Sequence, residues 1–270
     1  MEDSPLGRKT SYPDTYSPEL LHAISRAGSR AALGIDKDLP FGGTDIWNAW
    51  ELTWLADNGQ PRVAECELRI PAASPNIVES KSLKLYLNAF SMSPFPTLDG
   101  LAATIQTDLS ECTGSDVKVA IRRTGTLPEP AVSRLPGTSI DDESVGCDRW
   151  EVAPGLLRAD PGDIVAESLH THLLRSLCPV TAQPDTGSLL VSYRGPRIDP
   201  ASLLRYVVSF RRHQDFHEAC IERMFTDILA ECGCAELTVY ARYQRRGGID
   251  INPYRTTGTG RAPNLRLWRQ

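Results

Sequence analysis

The sequence predicts an α+β protein made of two similar modules, each with antiparallel strands backed by two consecutive helices. Nine of the 41 residues from Ser82 to Arg122 recur 120 positions later, from Ser202 to Arg242, where composition alone gives roughly two or three matches. Each copy has the order strand, turn, helix, helix, strand, and residues 237–243 alternate with the two-residue period of a half-buried strand. Strands grouped around paired helices are typical of an α+β layer.

The individual elements follow from apolar periodicity and from the turn residues between them. The predicted strands cover 62–70, 117–123, 188–194 and 236–245, and the predicted helices cover 82–90, 97–112, 201–211 and 216–232. Further strands are expected before each helix pair, near 150–175 in the second unit. Residues 124–163 are rich in Pro, Gly, Ser and Asp, which predicts a connection between two units. We therefore predict an N-terminal module over 1–135 and a C-terminal module over 136–270.

Composition limits the class of protein. The 270 residues are 41% hydrophobic and 23% charged, which suffices for a core and excludes disorder over most of the length. No apolar run approaches the ~20 residues of a membrane helix, and the polar N-terminus lacks an apolar signal core. A formal charge of −5 argues against a surface that neutralises many phosphates. We expect a soluble cytoplasmic protein that binds neither membranes nor nucleic acid directly.

The cysteines and histidines do not suggest a metal centre. Seven cysteines, an odd number in a chain without an export signal, argue against a disulfide framework. The close pair Cys232-x-Cys234 has no histidine near it at zinc-finger spacing. His170-x-His172 has a spacing that can hold a metal, but alternation along a strand is the simpler explanation. We therefore expect no metal.

Two segments carry groups suited to catalysis. Helix 216–232 begins with His217 and Glu218, and the helix dipole favours a carboxylate in that first turn. Pro179 favours an extended backbone at Cys178, and Pro184-Asp-Thr-Gly predicts a turn before strand 188–194. That arrangement brings a thiol and the Asp185 carboxylate to neighbouring loop positions, where the thiolate is a nucleophile and the acid a proton source. A core histidine, an inert buried cysteine and a turn aspartate remain the alternatives.

The C-terminal part is rich in arginine. Residues 242–255 include Arg245 and Arg246, whose guanidinium groups suit phosphate, and Gly247-Gly248 would let the backbone approach a ligand. A solvated basic strand end is the alternative. Thr257-Gly-Thr-Gly260 follows no βα unit, so the fingerprint of a dinucleotide-binding Rossmann fold is absent.

Together these motifs resemble the NADPH-dependent 7-cyano-7-deazaguanine reductases, the nitrile reductases of queuosine biosynthesis, a tRNA modification pathway. The resemblance rests on Glu79-Ser-Lys-Ser-Leu-Lys-Leu-Tyr-Leu-Asn, Cys178 with Asp185, Ser209-Phe-Arg-Arg-His-Gln-Asp-Phe-His-Glu218, and Tyr240-Ala-Arg-Tyr-Gln-Arg-Arg-Gly-Gly-Ile-Asp-Ile-Asn-Pro. Leu39-Pro-Phe-Gly-Gly-Thr-Asp-Ile-Trp47, with Glu51 and Trp54-Leu55, is similar to the longer, two-module branch. The resemblance covers nearly the whole chain, from about residue 12 to Gln270.

The resemblance implies tandem tunnelling folds (T-folds), whose antiparallel sheets join into a barrel when the chains form a homodimer or a larger oligomer. It also implies one composite site per chain, with Glu79 from the first module and His217-Glu218 from the second. At the offset of 120, Asp199 is the counterpart of Glu79, and Thr97-Leu98 stand where His217-Glu218 would be.

The mechanism implied by the resemblance is covalent. The Cys178 thiolate adds to the nitrile carbon of 7-cyano-7-deazaguanine and forms a thioimide, while a protonated Asp185 donates to the developing nitrogen anion. NADPH delivers hydride, the thiolate leaves an imine, and a second NADPH reduces that imine to 7-aminomethyl-7-deazaguanine. His217 orients the substrate or assists proton transfer.

The resemblance also implies the binding residues. Glu79 and Glu218 accept hydrogen bonds from the purine-like base, and the backbone of Val78–Ser80 adds contacts. Ser80-Lys81 and Arg246-Gly247 are the implied NADPH contacts. Two other classes stay open: a hydrolase of the same fold acting on a purine or pterin, which needs zinc or an activated water, and a noncatalytic binding module that uses the arginine-rich end.

Overall fold

The structure is a computed structural model that describes residues 13–36, 38–125 and 131–270. Its strands are β1 (Ala23–Ser25), β2 (Gly42–Leu55), β3 (Pro61–Pro71), β4 (Asn76–Val78), β5 (Lys118–Arg123), β6 (Val132–Ser133), β7 (Thr138–Ser139), β8 (Ala159–Leu177), β9 (Pro184–Ile198), β10 (Glu236–Tyr243), β11 (Ile249–Thr256) and β12 (Arg266–Leu267). Its α-helices are α1 (Ala27–Ala31), α2 (Ser80–Asn88), α3 (Leu98–Thr113), α4 (Pro200–Ser209) and α5 (His217–Cys232), and 3-10 turns cover Pro18–Leu20, Pro154–Leu156 and Phe210–Arg212.

The chain divides into two compact units. As far as their residues are described, the first comprises Met1–Gly28, Asp45–Pro130 and Arg245–Asp250, and the second comprises Ser29–Thr44, Ala131–Gln244 and Ile251–Gln270. Each unit is therefore made of three separate chain segments. The module boundary between residues 135 and 136 was predicted from the duplicated sequence, not from these compact units, and it stays a prediction.

In the first unit, β3 lies between β2 and β5. The β3–β5 ladder is antiparallel and pairs Leu68 with Val119. Helix α3 packs on β5 and buries a stripe at four-residue spacing that includes Leu101, Ile105 and Leu109. This stripe forms the core under the sheet, because one face of each amphipathic element is removed from water.

In the second unit, the neighbouring strands follow the order β11, β10, β9, β8 and β7. Strands β8 and β9 form a long antiparallel hairpin, with register shifts between Asp160 and Ile164 and between Thr171 and Leu174. Helix α5 packs on β10, β8 and β9. The result is a helix-backed antiparallel layer that confirms the predicted α+β class with antiparallel sheets.

The two units share detailed local structure. Glu79 and Asp199 cap α2 and α4 by accepting backbone N–H bonds. Within each unit a tyrosine hydroxyl of the first helix donates to an aspartate of the second, Tyr86 to Asp108 at 2.6 Å and Tyr206 to Asp227 at 2.7 Å. Such matched contacts support the tandem duplication inferred from the sequence.

The offset between the units is not constant. Helices α3 and α5 each span 16 residues and end at a left-handed glycine, Gly114 or Gly233, so their equivalent residues are 119 apart, since 233 − 114 = 119. The ungapped offset of 120 was therefore wrong in these helices. Leu98 and Asp99, not Thr97 and Leu98, occupy the helix positions of His217 and Glu218.

Most predicted elements are confirmed, with ends that move by a few residues. The predicted turn at Pro184-Asp-Thr-Gly is wrong, because β9 already begins at Pro184; proline is tolerated at the first residue of a strand. The long strand β2 and strand β11 were not placed by the sequence. None of the helices in the described ranges is long and apolar enough to cross a membrane.

Candidate active site

Cys178 and Asp185 lie at the two ends of the loop that joins β8 to β9. The ladder pairs Ser176 with Asp185, and the Cys178 N–H donates to the Gln183 carbonyl at 2.9 Å to close the loop 178–183. Ala182 within this loop has a φ of 54°, which non-glycine residues adopt rarely. The hairpin thus fixes a thiol and a carboxylate, each buried, on the two sides of one loop.

The loop around Cys178 stabilises the thiolate. Burial raises the pKa of the thiol, and the charge of Asp185 adds to that, but hydrogen bonds from the Thr181 hydroxyl and from the backbone N–H groups of Val180 and Thr181 outweigh both. The pKa of Cys178 therefore lies below its usual value. A thiolate held by backbone amides is the reactive form of cysteine.

His217 is brought to the same loop by the segment that precedes α5. The Leu177 N–H donates to the His213 carbonyl at 2.8 Å, and the Asp215 N–H donates to the Leu177 carbonyl at 3.2 Å. This pairing ties the start of α5 to the residue before Cys178. His217 Nε2 lies 3.4 Å from Asp185 Oδ2, and both side chains are largely buried.

Glu218 follows His217 in the first turn of α5 and is 3% exposed. The N-terminal end of a helix favours a buried carboxylate because its N–H groups point outward. The second unit therefore brings together four of the predicted residues, Cys178, Asp185, His217 and Glu218. Their arrangement can supply a nucleophile, an acid–base pair and a hydrogen-bond acceptor.

Glu79 lies in the first unit and caps helix α2. Its carboxylate accepts from the N–H groups of Lys81 at 2.9 Å and Ser82 at 2.8 Å, and its own N–H donates to the His22 carbonyl at 2.8 Å. Glu79 and the preceding Val78 are 1% exposed. Because each carboxylate oxygen has two lone pairs, the capping bonds fix the side chain and leave acceptor capacity for a ligand.

The other predicted binding residues also belong to the first unit. Ser80 and Lys81 form the first turn of α2, and Arg246-Gly247-Gly248-Ile249 is a tight turn in which the Arg246 N–H donates to Ile249 at 2.9 Å. Both glycines have positive φ, 60° and 78°, as the two-residue hairpin turn requires.

A pocket of about 170 Å³ lies beside this turn in the first unit, and its lining includes Glu51, Lys84, Asn88 and Gly247. A Cβ atom added to Gly247 would lie 3.3 Å from Lys84 Cε. The lysine side chain therefore passes directly over the bare backbone of the turn. A cation above exposed backbone is suited to a phosphate group.

Other features of the described residues offer no competing chemistry. No group of three His, Cys, Asp or Glu side chains is placed to hold a metal ion in the part of the chain that the structure describes. A larger groove of about 770 Å³ in the second unit is lined by Ser168, Ser192, Thr238 and Thr256 among others, and includes none of the predicted site residues. His170 and His172 lie on β8, as the alternation predicted.

Sequence reasoning missed several residues around the site. Thr181 stabilises the Cys178 thiolate, Lys84 lies one helical turn beyond Lys81, and Tyr243 stacks on His217. The i, i+3 spacing of the lysines was a usable signal. The alternative of a solvated basic strand end does not hold for Arg242, which is 2% exposed and donates to Gln270 Oε1 at 2.9 Å.

A stabilised thiolate with a buried carboxylate and imidazole at the same loop is typical of enzymes that use cysteine as a nucleophile. The comparisons with known proteins give the family. Residues 12–121 match the family described as nitrile reductase, 7-cyano-7-deazaguanine-reductase N-term, and residues 184–261 match the family described as QueF-like protein.

A curated relative matches almost from end to end. The NADPH-dependent 7-cyano-7-deazaguanine reductase of Dechloromonas aromatica (strain RCB) is 49% identical over 269 residues, which are 99% of this chain and 95% of the relative. The chain belongs to the NADPH-dependent 7-cyano-7-deazaguanine reductase family, an oxidoreductase family, and the resemblance predicted from the sequence is confirmed.

Proposed function

We propose that this chain reduces the nitrile of 7-cyano-7-deazaguanine to the aminomethyl group in queuosine biosynthesis. The observation that carries the proposal is the β8–β9 loop, where hydrogen bonds lower the pKa of the buried Cys178 thiol beside Asp185. A nitrile carbon is an electrophile that a thiolate can attack without a metal. A hydrolase of the same fold has no comparable support from these residues.

The proposed reaction begins with the Cys178 thiolate. Its sulfur forms a bond to the nitrile carbon, the carbon–nitrogen triple bond becomes a double bond, and Asp185 gives its proton to the nitrogen, which yields a thioimide. NADPH, when bound, would supply the two hydrides, one for the thioimide carbon and, from a second molecule, one for the imine carbon. Asp185, reprotonated through His217, would give the second proton to the nitrogen, which completes the amine. The carbon–sulfur bond breaks between these hydride transfers, which returns the Cys178 thiolate and leaves the imine.

His217 and Asp185 form the acid–base pair of the proposed site. With Nε2 3.4 Å from Oδ2, His217 is placed to return a proton to Asp185 after the first addition and to orient the substrate. Glu218 accepts hydrogen bonds from ring N–H and amino groups of the base, since a carboxylate can take two parallel bonds.

The first unit carries the other proposed binding groups. Glu79, held by the N–H groups of α2, accepts from the base, and the backbone of Val78–Ser80 adds contacts. Ser80, Lys81, Arg246 and Gly247 bind NADPH. The pocket beside Gly247 supports this, because the Lys84 side chain passes over backbone that a phosphate can approach.

The assignment extends to assembly and compartment. We infer a T-fold for each module, with sheets that close into a barrel when two chains form a homodimer, which removes exposed strand edges. A free thiolate nucleophile requires a reducing compartment, so we place the protein in the cytoplasm. The net charge of −5 supports action on the free base rather than on tRNA.

The test is intact-mass spectrometry with 7-cyano-7-deazaguanine alone, followed by NADPH absorbance. We expect an adduct equal to the substrate mass in the parent and in Cys112→Ala, none in Cys178→Ala, and two NADPH oxidised per substrate consumed. Cys112 is a matched control, because it is a free thiol in the first unit. Full activity of Cys178→Ala would refute the covalent step. Substrate turnover without NADPH, dependent on zinc, would favour the hydrolase.

A further inference from the structure

Tyr243 is the last residue of β10 and one of the largest fully buried side chains. Its ring centroid lies 4.0 Å from that of the His217 imidazole, with 39° between the ring planes. His217 is in turn the residue whose Nε2 approaches Asp185. The tyrosine therefore contacts the histidine of the proposed acid–base pair.

The backbone of Tyr243 is fixed on both sides by side-chain amides. Its N–H donates to Asn252 Oδ1 at 3.2 Å, and its carbonyl accepts from Gln270 Nε2 at 3.1 Å. Gln270 Nε2 also donates to Asn252 Oδ1 at 2.9 Å. These hydrogen bonds fix the backbone that carries the ring, so the ring can hold a neighbouring side chain in place.

Strand β9 has a glycine at the position that pairs with Tyr243. Gly187 pairs with Tyr243 across the ladder, two residues after Asp185. A Cβ atom on Gly187 would lie 2.9 Å from the Arg242 carbonyl oxygen and 3.2 Å from Tyr243 Cδ1. A side chain at Gly187 would therefore crowd the backbone of β10 and the Tyr243 ring.

The hydroxyl end of Tyr243 faces the reactive groups of the second unit. Burial, and then the charges of Cys220, Asp185 and Glu218, raise the pKa of this phenol far above its usual value, while the Ser176 hydroxyl opposes the rise. The phenol is therefore neutral at any working pH. The ring is therefore an uncharged neighbour of the site residues.

The first module lacks this arrangement. The last residue of its corresponding strand β5 is Arg123, which is exposed and pairs with Ala64. The first residue of the corresponding helix is Leu98 rather than histidine. The buried tyrosine thus occurs in the same module as the histidine it contacts.

We propose that Tyr243 is a positioning residue of the reductase, whose ring holds the His217 imidazole in line with Asp185 and so sets the rate of proton transfer. This rests on the proposed function of His217 and Asp185. Misplacement of a reacting group by about 1 Å can cost ~100-fold in rate. Loss of the ring should therefore affect turnover far more than NADPH binding.

The experiment compares Tyr243→Leu, Tyr243→Phe and the control Tyr240→Leu. Tyr240 lies on the same strand, is equally buried and donates to the Pro263 carbonyl at 2.6 Å. We expect Tyr243→Leu to lose about 10- to 100-fold in kcat, with KM for NADPH and the rate of Cys178 alkylation both within about twofold. Tyr243→Phe should restore kcat, and Tyr240→Leu should stay near the parent.

A second readout reports the contact itself. The ring current of Tyr243 should shift the His217 Hε1 proton resonance upfield, and Tyr243→Leu should abolish the shift while Tyr243→Phe keeps it; Tyr243→Met replaces Tyr243→Leu if that variant does not fold. The proposal is overturned if folded Tyr243→Leu keeps its kcat, or if Tyr243→Phe loses as much. A parent that does not reduce the nitrile but shows the ring-current shift refutes the proposed function instead.

Discussion

Glu222 offers a sharp test of what holds helix α5, which carries His217 and Glu218, in place. Its Oε1 accepts from Arg30 Nη2 at 2.8 Å and Arg255 Nη2 at 2.9 Å, and its Oε2 accepts from Arg30 Nε at 3.0 Å. Both guanidinium groups also lie over the Phe41 ring, at 5.9 and 5.4 Å. The carboxylate is 2% exposed and the Arg255 side chain 0%, so one buried anion pairs with two cations.

Replacing Glu222 by Ala should destabilise the protein strongly. Removing one partner of a buried ion pair costs about 3–5 kcal/mol, because the remaining charge stays desolvated. At about 2–4 °C per kcal/mol for a protein of this size, Tm should fall by about 6–20 °C. Glu222→Gln keeps an acceptor oxygen and should cost less.

Urea unfolding followed by tryptophan fluorescence measures this cost, with protein concentration held constant. Glu231→Ala is the matched control, since Glu231 is exposed on the same helix, and it should change stability by no more than ~0.5 kcal/mol. If Glu222→Ala costs under ~1 kcal/mol, or no more than the control, the cluster does not hold α5 and the reasoning fails.

Three further predictions concern the site and its surroundings. Thr181→Val removes a hydrogen bond that lowers the pKa of Cys178, so the pH midpoint for iodoacetamide alkylation should move upward, and an unchanged midpoint would contradict the assigned cause. Lys84→Gln should raise KM for NADPH by about tenfold, the loss of one charged hydrogen bond, with little change for the nitrile; equal changes in both constants would exclude a cofactor contact. Burial lowers the pKa of His213 from its usual 6.5, opposed by Asp215, so the unfolded state takes up the proton first and stability falls as the pH drops below about 6.5. His213→Phe should flatten that fall in pH-dependent unfolding, and a parallel curve would assign the effect to other groups.

The sequence predicted what depends on local pattern. Apolar periodicity located α3 and α5, and the motif around Cys178, Asp185 and His217 identified the residues that the hairpin brings together. It placed α3 and α5 one residue out of register, because chance identities such as Cys112 with Cys232 outweighed the single-residue deletion that the capping glycines show. Helix ends are set by caps that an ungapped comparison does not weigh.

What could not be predicted depends on contacts between distant segments. Tyr243 has no motif of its own, and its stacking on His217 follows only from the pairing of β10 with β9. The sequence offered a phosphate contact or a solvated strand end for the arginine-rich segment, but Arg242 is buried against Gln270, 28 residues further along the chain. The side chain of Glu79 was predicted as a ligand for the base, and its second role as a helix cap follows from the backbone geometry of α2.

The two modules differ at the position of the proposed nucleophile and at the positions of the α2 lysines. Each module lacks the residues that the other has there. In the first module the Ala56 N–H closes the β2–β3 loop on the Gln60 carbonyl at 2.9 Å, as the Cys178 N–H does on Gln183, so alanine stands where the nucleophile would be. In the second module α4 has Ala201 and Leu204 where α2 has Lys81 and Lys84, so the cations suited to phosphate are missing there.

Neither module therefore has both the proposed nucleophile and the lysine pair of α2. Two complete copies would have preserved both sets in each module. The chain therefore carries one set of the proposed site residues rather than two. Both modules instead share structural contacts, because each has a capped first helix and a tyrosine–aspartate hydrogen bond that stabilise it.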